Sequence, residues 1–305
     1  MSEMPPHKQK REPQASSRRD VLRSAIAAAM LPSITLLDSQ TTPAKALDLL
    51  RSETIASAIE RFYTATEEEL DESLGYILHH PTLAPEGLAV DIHRAIVKKS
   101  PQEIQGSGME TFLTVFYTMQ SEGMHNSQET VVYRAHTHTT AGITEAFGEE
   151  YAKVIQKLGG AIVGIPSTAD FDNSAQDGLN AVGAYLGVLD PAFKDIPSFK
   201  KIELVFTNAG VYVTKKSPLS AVSTTPLSEQ ARQRREQKWT QMNRFWILFV
   251  NSVLHKSPNG WDVILQSPQY RELQKYVHDT FGMSMEFIPR KRTTKERLLE
   301  FATRP

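Results

Sequence analysis

The chain has 305 residues, a net charge of −1 and no cysteine, with 40% of its residues hydrophobic. That composition is globular: too apolar for a disordered chain, and too close to neutral to hold nucleic acid by bulk charge. The absence of cysteine excludes a disulfide framework, a thiolate zinc site, a cysteine-ligated iron–sulfur cluster, c-type haem attachment and a cysteine nucleophile.

The first element in chain order is a leader. Residues 1–46 carry Lys8, Lys10, Arg11, Arg18, Arg19 and Arg23, then an uncharged apolar run over 24–37, then Ala44, Lys45 and Ala46. A charged head, an apolar middle and small residues at a cleavage point form the three-part plan of an export signal. The run contains Pro32 and is shorter than the roughly 20 residues of a stable membrane span. Cleavage after Ala46 is therefore expected, with no membrane span kept. Ser17, Arg18, Arg19, Asp20, Val21, Leu22 and Arg23 resemble the twin-arginine export consensus: a small polar residue, two arginines, a variable residue, two apolar residues and a base. Val21 stands where that pattern usually has Phe. The resemblance covers only about residues 16–46. It implies a bacterial protein that folds in the cytoplasm, crosses the membrane folded through the twin-arginine translocase, and works in the periplasm or outside the cell.

Charge divides the remainder. Residues 47–227 hold 13 basic and 23 acidic residues, a net of −10, while 228–305 hold 14 basic and 8 acidic, a net of +6. Between them, 215–227 is rich in Ser, Thr and Pro and reads as a linker or long loop. The expected organisation is a cleaved signal at 1–46, an acidic α+β domain at 47–214, that linker, and a basic, mainly helical subdomain at 228–305. Opposite signs suggest that the halves dock on each other or that the second meets an anionic partner.

In the acidic half, Ile55, Ala58, Ile59 and Phe62 recur at helical spacing over 52–62, and Thr66 with Glu69 forms a capping box that predicts a second helix to about His79. Pro85 predicts a third helix with Leu88, Ile92, Ala95 and Ile96 on one face, and Ser100, Pro101 and Glu103 a fourth through Met119. The β-branched and aromatic run over 129–137 predicts a strand; 143–158 predicts a helix stopped by Gly159 and Gly160. A short buried strand over 161–165, a helix of small residues over 175–187 and a hairpin joining 202–206 to 211–214 follow. In the basic half, a helix over about 226–255 stops near Pro258 and Gly260, Ser267 and Pro268 open another to Phe281, 283–288 reads as a strand and 294–302 as a last helix. The fold class expected is α+β, helix-dominated with a small mixed or antiparallel sheet.

Nine histidines are the compositional feature that points to a site. Residues two apart in a strand project to one face, so His136 and His138 present two imidazoles side by side, which is metal-ligand spacing. Asp170 and Asp172 offer oxygen donors beside expected turns, with His125 and Glu145 as further shell candidates. Together they suit a borderline divalent metal, Zn, Mn or Fe, able to activate water near neutral pH. Each residue also has a plainer reading. His136 and His138 fit a solvated strand face, Asp170 and Asp172 fit turn and helix-cap positions, His79 and His80 fit a helix end, and His93 fits helix packing.

Competing motifs are missing: the sequence has no Gly-x-Ser-x-Gly elbow and no Gly-x-x-x-x-Gly-Lys loop. The helix over 226–255 joins a basic start, Arg232, Arg234, Arg235 and Lys238, to an apolar end over 245–254, which is the length of a core helix. Two functions emerge. One is an exported metal-dependent hydrolase in which His136 and His138 bind the cation, Asp170 or Asp172 adds an oxygen ligand and Glu145 acts as general base. The other is a non-catalytic periplasmic protein that binds a ligand or partner between the acidic and basic halves. Export argues against nucleic acid as a partner in either case.

Overall fold

Helix α1 (Ile55–Glu68) turns Ile55, Ala58, Ile59 and Phe62 inward, as their spacing requires, and what they meet is a sheet. The computed structural model describes residues 54–68, 73–92, 119, 123–124, 129–139, 148–157, 164–168, 170–171, 200–217 and 228–304. All of them lie in one compact unit, Leu50–Pro305. After α1 come β1 (Leu74–His80), β2 (Ala84–Ile92), β3 (Val131–Thr137), α2 (Glu149–Lys157), β4 (Lys200–Thr207) and β5 (Gly210–Lys216). Then follow α3 (Glu229–Lys256), α4 (Trp261–Leu265), α5 (Pro268–Phe281), β6 (Met283–Pro289) and α6 (Lys295–Thr303).

The strands form one mixed sheet in the order β2-β1-β3-β4-β5-β6. Its central pair, β3 and β4, is parallel, and every other pair is antiparallel. Strand β6, from the basic C-terminal part, pairs along β5, from the acidic part.

This corrects the expected fold class. The architecture is α+β, but the sheet is not a small addition to a helical body: six strands separate two helical layers and supply a face to each. The helices expected over 66–79 and from Pro85 are instead the β1–β2 hairpin. Thr66 does not cap a helix. It is buried in the last turn of α1, where its hydroxyl donates to the Tyr63 carbonyl at 2.7 Å. Strand β1 lies between β2 and β3 and is buried on both faces, so its apolar run lacks the alternation that marks a half-exposed strand. Gly87 in β2 has φ 78°, and a Cβ there would fall 2.1 Å from Ile55 Cγ1, so both the backbone and the approach of α1 require glycine. Most of the helix expected over 100–119, the one over 175–187 and the leader 1–46 lie outside the described residues.

One sheet face carries Val131, Tyr133 and Ala135 of β3, Ile202, Leu204 and Phe206 of β4, and Val211 and Val213 of β5. These pack against α1 and against Leu298, Phe301 and Ala302 of α6. Phe206 stacks on Phe62 at 5.0 Å and meets the edge of Tyr63 at 5.1 Å. Each large apolar side chain buried this way contributes about 1.5–3 kcal/mol. On the other face, Val205, Tyr212, Met285 and Phe287 pack beneath α3, α4 and α5. Two hydrogen bonds lie within that layer: the Trp246 indole N–H donates to the Tyr212 hydroxyl at 2.6 Å, and the Phe287 amide donates to the Tyr270 hydroxyl at 2.6 Å.

The basic half follows its local signals. Ser228 and Ser267 cap α3 and α5 with their hydroxyls, Pro268 starts α5, and Gly282 ends it in the left-handed region at φ 67°. Among the described residues, no helix is long and apolar enough to cross a membrane.

Candidate metal centre

Strand parity builds the site. Odd residues of β3 enter the α1 layer, so Val132, Arg134 and His136 must face the other way. His138 lies just beyond β3, but its amide donates to the Phe206 carbonyl at 2.7 Å, which prolongs the ladder and keeps the alternation. The two imidazoles therefore share a face, with ring centroids 5.2 Å apart. That face is not solvated, because His136 is only 3% exposed.

The third donor comes from a distant segment. Asp170 stands in the first turn of a helical segment that Ser167 caps: its Oδ2 accepts the Ser167 amide at 2.6 Å, and its own amide donates to the Ser167 hydroxyl at 3.2 Å. The helix-cap reading of Asp170 fits, and the same carboxylate also reaches the histidines. Asp170 Oδ1 is 3.2 Å from His136 Nε2, and Oδ2 is 3.5 Å from His138 Nε2. One donor atom from each of the three residues fits within a 4.8 Å cluster.

Helix α3 sets the position of the turn that carries Asp170. The Ile165 amide donates to Asn243 Oδ1 at 3.1 Å, the Trp239 indole N–H donates to the Pro166 carbonyl at 2.7 Å, and the Thr168 hydroxyl donates to Glu236. Phe171, next to Asp170, is held between the edge of Trp239 and the face of Phe281. The basic half thus fixes an acidic residue of the other half opposite the histidines.

Two further charges were not expected from the sequence. Glu203 sits in β4, buried at 2% exposure, and its Oε1 lies 2.9 Å from Arg134 Nη1 and 3.4 Å from His136 Nδ1. The parallel register places Glu203 opposite Arg134 and Val205 opposite His136, which brings these side chains together. The signal was present: Arg134 lies between Tyr133 and Ala135 and Glu203 between Ile202 and Leu204, each a charge flanked by apolar residues, and a buried charge must find a partner.

Burial by itself would push the His136 imidazolium down, but the Asp170 and Glu203 carboxylates outweigh it and raise its pKa from 6.5 to about 10. Burial would likewise raise Asp170, yet the two histidines hold it well below the usual carboxylate range. Asp170 and Glu203 stand at the two ring nitrogens of His136, 3.2 and 3.4 Å away, and both nitrogens are buried. Two imidazole nitrogens and a carboxylate oxygen gathered this closely, and largely buried, form a donor set that suits a divalent cation. His136, His138 and Asp170 can hold a metal ion.

The remaining expected residues divide. Asp172, Glu145, His125 and His93 lie outside the described residues. His79 and His80 end a strand rather than a helix, and His80 Nδ1 accepts the amides of Thr82 and Leu83, so it holds the turn into β2. Comparison of the chain with protein-family models, with curated proteins and with solved structures finds no match.

Proposed function

We propose that this protein is an exported metal-dependent hydrolase whose cation is held by His136, His138 and Asp170. The observation that carries the reading is the three-donor cluster of His136, His138 and Asp170, whose ligand atoms all lie within 4.8 Å of one another. Two imidazoles and one carboxylate suit Zn, Mn or Fe and leave coordination positions for water or substrate. A bound divalent ion supplies Lewis-acid activation of water near neutral pH. His136 and His138 bind through Nε2, Asp170 adds an oxygen ligand, and Arg134 balances the buried acid nearby. Glu145 remains the proposed general base, with Asp172 as a second oxygen donor. The paired Arg18 and Arg19 support export through the twin-arginine translocase, and with it a periplasmic setting.

The test is the metal content of protein purified from the periplasm, compared with the His136→Ala, His138→Ala variant. Stoichiometric metal that disappears in the variant is the expected result; its absence from both proteins would leave the non-catalytic ligand-binding role. For the address, Arg18→Lys with Arg19→Lys should leave an uncleaved precursor in the cytoplasm, whereas normal maturation would contradict twin-arginine export.

A further inference from the structure

We propose that Glu203 is the positioning carboxylate of this centre: it accepts the Nδ1–H of His136 and so directs the Nε2 lone pair toward His138 and Asp170. The inference rests on the reading of those three residues as a metal site.

An imidazole that ligates through one nitrogen carries its proton on the other, and in a buried site that N–H needs an acceptor to define the tautomer and the ring plane. His136 has a carboxylate at each end. Asp170 lies 3.2 Å from Nε2, on the side shared with His138, and Glu203 lies 3.4 Å from Nδ1, on the opposite side. Only one of these sides adjoins the second histidine, so the ring has a ligating end and an anchoring end. The anchor is rigid. Glu203 projects from a central strand whose register with β3 is fixed over seven paired residues, and it is 2% exposed.

Arg134 makes the arrangement sustainable. Its Nη1 lies 2.9 Å from the same Glu203 oxygen that faces His136, so the buried carboxylate does not depend on the histidine for a counter-charge. An acceptor whose charge is already shared orients the Nδ1–H and competes less for the proton itself. The competing account gives Glu203 no role except as the ion-pair partner of Arg134.

Glu203→Gln in the full chain separates the two, because the amide keeps the volume and one acceptor but loses the charge. The readouts are Zn²⁺ affinity by equilibrium dialysis and the His136 tautomer by imidazole nitrogen NMR of the Zn²⁺-loaded protein. The variant is expected to bind Zn²⁺ about 10–100-fold more weakly than the parent, as for other partners of ligating histidines. The Nδ1–H form should lose its dominance at the same time. Unchanged affinity with the Nδ1–H tautomer retained would overturn the role of Glu203 and leave the metal site standing. A parent protein that binds none of Zn²⁺, Mn²⁺ or Fe²⁺ removes the site and this inference together. Should Glu203→Gln fail to fold, the paired Arg134→Gln, Glu203→Gln variant, which neutralises both members at once, is read by the same two measurements.

Discussion

The two faces of β3 are both largely covered and are held by different physics. On one, Val131, Tyr133 and Ala135 join the apolar layer beneath α1, where each residue contributes through its own packing. On the other, Arg134 and His136 join Glu203, Asp170 and His138 in a chain of polar contacts in which each side chain reaches the next. The first face stabilises the fold by excluding water. The second is sound only as a complete set, and it is the face that can bind a cation.

The largest effects should come from breaking one link of each face. Arg134→Met leaves Glu203 buried without its cation and is expected to cost about 3–5 kcal/mol. Phe62→Ala opens a cavity in the apolar layer and is expected to cost about the same, 3–5 kcal/mol. Urea unfolding of the metal-free proteins checks both. Zn²⁺ affinity then distinguishes them: it should fall in Arg134→Met and stay at the parental value in Phe62→Ala. An equal fall in both would abolish the distinction between the faces.

Next in size is the response to pH. His136 is raised from 6.5 to about 10 in the folded protein, so the fold favours its charged form. That stabilisation is complete below pH 6.5 and is lost as pH rises through about 10. Asp170 works in the opposite sense: it is depressed, so its contribution is present above the ordinary 3.8 and is lost on acidification through its lowered value. The urea midpoint of chelator-treated protein should therefore decline between pH 6.5 and 10, and that decline should flatten in His136→Gln but persist in Phe62→Ala. Zn²⁺ affinity should rise over the same interval, because the ion replaces the Nε2 proton.

A smaller effect is expected where α3 grips the turn that carries Asp170. Trp239→Phe keeps an aromatic ring but leaves the Pro166 carbonyl without its donor, at a cost of about 1–3 kcal/mol. Since that turn aims Asp170, Zn²⁺ affinity should drop as well; a loss of stability with affinity intact would show that α3 supports the fold and not the site. The smallest effect belongs to the apolar face. The Tyr133 hydroxyl is buried without a hydrogen-bond partner among the described residues, so Tyr133→Phe should change stability by less than about 1 kcal/mol and leave Zn²⁺ binding unaltered. A large loss in that variant, measured by thermal unfolding, would mean that the hydroxyl has a partner after all.

Legibility varied by element. The C-terminal part was readable because Ser267 and Pro268 act within a residue or two of where they stand. The β4–β5 hairpin and β3 were readable from their β-branched runs. The β1–β2 hairpin was not, since β1 is covered on both faces and Thr66, which with Glu69 imitates a helix start in sequence, lies inside α1. In the site, His136 and His138 could be paired by parity alone. Their burial could not, which is why a solvated face stood as an alternative. Glu203 was passed over because nothing local says which strand lies beside β3.

What the chain determines by itself is short-range: caps, turns, strand parity, and hence the fact that two imidazoles share a side. The parallel alignment of β3 with β4, the placement of Glu203 beside His136, and the clamp by which α3 holds Asp170 opposite both histidines are decided by tertiary packing. The physical reason is range. Backbone sterics and local hydrogen bonds act over a few residues, whereas a buried charge is stabilised by whatever the fold sets within a few ångströms of it, however far away that partner lies along the chain.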